Sequence, residues 1–116
     1  MTTWNEILNF YQKAAQLPRE GQIWEDIRYH SQRMQLLIPE IQKHAELSEL
    51  ECSISVVELR LVNKINGRTA LILVQRNDNV RVNFYDPGEL ILEQNHNTVH
   101  SSFDEIISDL KDRLLT

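Results

Sequence analysis

Several side chains in this sequence have types and spacings that could carry chemistry. His96, His100 and Asp104 recur every four residues, a spacing at which they could share a metal ion. A structural zinc site asks for more than that, usually thiolates, and Cys52 is the only thiol. His30 and His44 lie two heptads apart on a helical pattern, too far to share an ion. Asp86 with Glu89, and Glu49 with Glu51, are carboxylate pairs of the kind acid–base catalysis uses when a cleft drives their pKa values apart. No cleft is marked around them, and an Asp opening Asp86-Pro87-Gly88 is accounted for by turn chemistry.

Nucleophiles give little. Cys52 follows Glu49 and Glu51, whose charge opposes a thiolate. Ser101 and Ser102 read as helix caps rather than as activated hydroxyls. Glu58-Leu59-Arg60 has arginine where a Mg²⁺-dependent nuclease would carry lysine, and arginine stays protonated. Three glycines, two of them in hairpin turns, leave little material for a phosphate-cradling loop. The sequence therefore leads us to expect no catalytic residue, no metal and no cofactor.

These residues must be held by a fold, and its elements are legible in the pattern. Thr3-Trp4-Asn5-Glu6 is a capping box, and Trp4, Ile7, Leu8, Tyr11 and Ala14 behind it recur at helical spacing, which predicts a helix over 3–15. Ile23, Ile27, His30, Met34, Leu37 and Ile41 form a second apolar seam, read as a helix over 22–38. His30 falls on that seam, so if buried it must be paired or neutral. Pro39 removes a backbone donor and predicts a kink, or a stop and restart, with a further helical segment over 40–50.

From Ser53 the period changes to two. Asn66-Gly67, read as a two-residue hairpin loop, sets Ile65 opposite Arg68, Leu61 opposite Ile72 and Leu59 opposite Val74. A three-residue loop at Asn77-Asp78-Asn79 sets Val74 opposite Val82 and Ile72 opposite Phe84. Asp86-Pro87-Gly88 then brings Phe84 to Leu90 and Val82 to Leu92. One face of a four-stranded meander thus reads Leu59, Leu61, Ile72, Val74, Val82, Phe84, Leu90 and Leu92. Asn95-His96-Asn97 reads as a loop. Ser102-Phe103-Asp104-Glu105 is a second capping box ahead of an amphipathic final helix. The expected fold is α+β: two N-terminal helices, a four-stranded antiparallel β-meander and a C-terminal helix (ααββββα), with 1–116 as one domain.

The opposite sheet face is mixed, with an apolar middle in a charged surround. Arg60, Leu71, Leu73, Arg81, Tyr85 and Ile91 lie on it, residue types enriched where proteins meet. A helix of the same chain could equally cover it. The formal charge is −5, which disfavours a general nucleic-acid binder. Yet Arg60, Lys64, Arg68, Arg76 and Arg81 make the hairpin region 60–81 locally basic, the basis of an alternative reading as a nucleic-acid-binding subunit. No apolar run is long enough to cross a membrane. The opening residues do not resemble a secretory signal, and one cysteine fits a reducing cytosol, so a cytoplasmic location is expected. The functional expectation is a small acidic interaction module of the inhibitor, immunity, antitoxin or adaptor type. It would bind a protein partner of unidentified kind through the mixed face, with a homodimer as one form of it.

Overall fold

A computed structural model describes residues 3–54, 58–74, 79–87, 96–100 and 102–115. The elements run α1 (Trp4–Ala14), α2 (Gln22–Gln42), α3 (Ala45–Ser48), β1 (Glu51–Ile54), β2 (Leu59–Val62), β3 (Thr69–Val74), β4 (Val80–Tyr85), β5 (His96–His100) and α4 (Phe103–Leu114). The architecture is α+β: helices, an antiparallel meander, then a C-terminal helix. The sheet order is β1-β2-β3-β4-β5, every neighbour antiparallel.

Both capping positions do what their side chains dictate. Thr3 Oγ1 accepts the Glu6 N–H at 3.2 Å while the Thr3 N–H donates to Glu6 Oε2 at 3.4 Å. Ser102 Oγ accepts the Glu105 N–H at 3.3 Å at the start of α4. Helix α2 does not stop at Pro39 but carries it inside a 21-residue helix. A proline there costs roughly 3 kcal/mol in helix propensity. Leu37, Ile38 and Ile41 around it are all fully buried, and burying a large aliphatic side chain returns about 1.5–3 kcal/mol each. Packing outweighs the local penalty, and the short α3 follows only after a break at His44.

The strand register differs from the expected one in an instructive way. Leu59 pairs with Ile72 and Leu61 with Ala70, a slip of two residues. The loop that causes it is Lys64–Gly67. It is closed by the Asn63 N–H donating to the Arg68 carbonyl at 2.9 Å and the Gly67 N–H donating to the Asn63 carbonyl at 2.8 Å. Gly67 sits at φ 74°, the left-handed conformation its lack of a Cβ allows. The next hairpin slips by two as well, with Val74 opposite Val80 and Ile72 opposite Val82. Side chains alternate with period two, so a slip of two leaves every residue on its expected face. Leu59, Leu61, Ile72, Val74, Val82 and Phe84 are all buried, joined by Cys52, Ala70 and Val80.

Two further differences concern the strands themselves. The run expected to be one strand from Ser53 contributes β1 and β2, which pair with each other. His96–His100, expected as a loop at its start, is strand β5 against β4. Backbone pairing, not an apolar alternation, forms it, and no such alternation announces it in the sequence. Leu90, Leu92 and Ile91 lie outside the described residues.

The core lies between the sheet and helices packed on one side of it. Ile7 and Tyr11 of α1, Met34, Leu37, Ile38 and Ile41 of α2, and Ile106, Leu110 and Leu114 of α4 meet the inner strand residues.

Candidate interaction surface

The register defines the other face row by row. Ser53, Arg60, Leu71 and Asn83 stand side by side across β1–β4, with Glu51, Val62, Thr69 and Tyr85 in the next row, and Leu73 opposite Arg81 in a third. Val62, Leu71 and Leu73 are half-buried, and none of them joins the core. The core residues of α1, α2 and α4 pack against the inner strand residues instead. Arg60 is exposed at its middle, and Tyr85 is only 7% exposed although it too stands outside the core. Arg81 Nε and Asn83 Oδ1 are shut off from water and have no hydrogen-bond partner among the described residues. Such groups are rare in folded proteins, since each costs roughly 1–3 kcal/mol.

The four described residues of the basic hairpin reading are not brought together. Lys64 Nζ lies 3.7 Å from Glu51 Oε2. Arg68 donates from Nη1 to the Arg113 carbonyl at 3.2 Å, and its Nε lies 3.5 Å from Asp86 Oδ1. Arg60 and Arg81 are separated by the Leu71–Leu73 strand. Arg76 lies outside the described residues. Asp86, a carboxylate the sequence marks, is therefore engaged by Arg68.

His30 is 1% exposed and fully integrated. The Val74 N–H donates to its Nδ1 at 3.1 Å, which leaves Nε2 as the protonated nitrogen, 3.4 Å from the Tyr11 hydroxyl. That hydroxyl donates onward to the Glu58 carbonyl at 3.1 Å. The chain of bonds ties α2 and α1 to the Val74 N–H of β3 and to the Glu58 carbonyl just before β2. Burial lowers the His30 pKa to about 4, so the ring is neutral at neutral pH. Burial, with the Glu58 charge adding to it, pushes the Tyr11 hydroxyl up. Burial, then Glu51, pushes the Cys52 thiol up as well, which works against nucleophilic reactivity. Among the described residues no group of three His, Cys, Asp or Glu side chains converges as metal ligands would, and no helix is long and apolar enough to cross a membrane.

A second surface went unmarked in the sequence. At the loop end of β2 a groove of about 780 Å³ opens beside α3 and the end of α4. Leu50, Val62, Ile65 and Leu115 line it, with Glu46, Glu49 and Glu51 at its rim. Ile65 is 98% exposed. Its signal was present as a large apolar residue directly before Asn66-Gly67, a place where small and polar residues are the rule.

The comparisons add no relative: no family model, no curated protein and no solved structure matches this chain.

Proposed function

We propose that this protein is a protein-interaction module whose outer sheet face docks a partner, the partner being a second copy of the chain. The observation that carries this reading is the one-sided layering. The described helices pack on the inner face, while Val62, Leu71 and Leu73 stand outside the core on the other. Arginine and tyrosine beside aliphatic side chains make up the composition of an interface centre. A second copy suits the face because it carries a donor and an acceptor together, Arg60 on one hand and the half-exposed Glu51 on the other. A two-fold contact pairs such groups reciprocally. The basic hairpin reading has less support, since Lys64 and Arg68 already face carboxylates of the same chain.

The test is sedimentation over a wide concentration range, with amide shifts followed in parallel. The expected outcome is a reversible dimer whose formation moves the Leu71, Leu73 and Arg81 signals and is abolished by Leu73→Lys. A chain that stays monomeric to millimolar concentration, with those signals unmoved, overturns the proposal.

A further inference from the structure

We infer that the groove at the loop end of the sheet is a second docking site, adjoining the sheet face at Val62 and Glu51 but centred on Ile65, and that it takes a peptide segment pairing aliphatic side chains with flanking lysines or arginines. Three features of the groove lead there. Its floor is apolar, built by Leu50 after α3, Val62 at the end of β2 and Leu115 after α4. Its volume of about 780 Å³ falls in the range of sites that hold several side chains of a ligand. Its rim is acidic. Glu46 and Glu49 are exposed, and their carboxylates make no ion pair or hydrogen bond among the described residues. Lys64 offsets only Glu51, across a solvent-screened 3.7 Å contact between side chains 67% and 43% exposed. A net negative rim over an apolar floor is complementary to a cationic, apolar segment and repels an acidic one.

Ile65 supplies the anchor. It is 98% exposed, yet its backbone is held: the Ile65 N–H donates to Asn63 Oδ1 at 3.0 Å, and Asn63 is itself 8% exposed and bound to α4. A large aliphatic side chain on an ordered loop presents apolar surface without the entropy cost that a mobile one would pay on binding. Nothing within the fold accounts for isoleucine at this position.

The proposal is tested with a short synthetic peptide bearing paired leucines flanked by lysines, and a control peptide with glutamates replacing the lysines. Titration is followed by fluorescence anisotropy and by amide shifts on the intact chain. Saturable binding of the lysine peptide is expected, with shifts confined to Leu50, Val62, Ile65 and Leu115. The glutamate peptide should not bind, and Ile65→Ser or Glu46→Lys with Glu49→Lys should each weaken binding roughly tenfold or more. Circular dichroism and melting of the variants exclude misfolding as the cause, and Ile65→Ser touches no packed residue. Leu73→Lys, which breaks the sheet-face contact, should leave peptide binding intact, so the two proposals fail separately. Equal binding of both peptides, shifts spread over the sheet face, or indifference to Ile65→Ser each overturns the inference. Self-association abolished by Ile65→Ser, in the absence of peptide binding, would overturn it in favour of a second copy in the groove.

Discussion

The Val74 N–H donates to His30 Nδ1 at 3.1 Å across 44 positions of sequence, and the histidine can accept that bond only while it is neutral. The folded-state pKa is lowered to about 4 from an ordinary 6.5. Above pH 6.5 both folded and unfolded chains carry the neutral ring, and stability is at its full value. Between 6.5 and about 4 the unfolded chain takes up a proton that the folded one refuses, so stability falls as pH falls, by about 3 kcal/mol in all. Urea unfolding across that window should show the loss. His30→Phe should flatten this part of the profile while lowering stability at pH 8, because it strands the Val74 N–H.

Asn63 joins the β2–β3 loop to the end of α4, donating from Nδ2 to the Leu114 carbonyl at 2.7 Å. Asn66 reaches the same carbonyl at 2.8 Å. Asn63→Ala should cost about 1–3 kcal/mol, because it empties a buried position and leaves the Ile65 N–H without its acceptor. Asn66→Ala should cost less, since its side chain is only half-buried and water can replace what it loses. Thermal melts of the two variants give the ranking.

Pro39 sits exposed inside α2 with buried residues on either side. Pro39→Ala restores a backbone donor and should stabilise the protein by about 1–2 kcal/mol. The full propensity difference of roughly 3 kcal/mol is offset in part by the freer unfolded chain. A lower melting temperature would show that α2 needs the shape proline imposes.

Cys52 is 6% exposed on the inner side of β1, its thiol raised by burial and Glu51. Alkylation by a maleimide at pH 7 should be far slower in the native protein than in urea. Fast native labelling would mean that β1 opens readily.

Much of the fold was legible because period and burial agree. The inner face of Leu59, Leu61, Ile72, Val74, Val82 and Phe84 followed from alternation alone and survived two register slips. The β2–β3 slip was not legible, because its loop is set by Asn63, whose amide is bound 51 residues away. An Asn66-Gly67 pair carries the local preference for a tight turn; the tertiary bond overrides it. Strand β5 escaped for a similar reason, since His96–His100 is paired through its backbone and has no apolar alternation to read. Of the interaction residues, Arg60, Leu71, Leu73, Arg81 and Tyr85 do share the outer face. The groove was hidden because its floor comes from Leu50, Val62, Ile65 and Leu115, residues scattered along the chain that look unremarkable one by one.

The contacts between the β2–β3 loop and α4 have a kinetic consequence. They span 51, 48 and 45 positions, so the loop cannot reach its final shape by local search. Closing such long segments is entropically slow, and it comes late in folding. The central hairpin, which looks like the natural nucleus of a meander, thus completes its tip only when the final helix docks and locks the loop that carries Ile65.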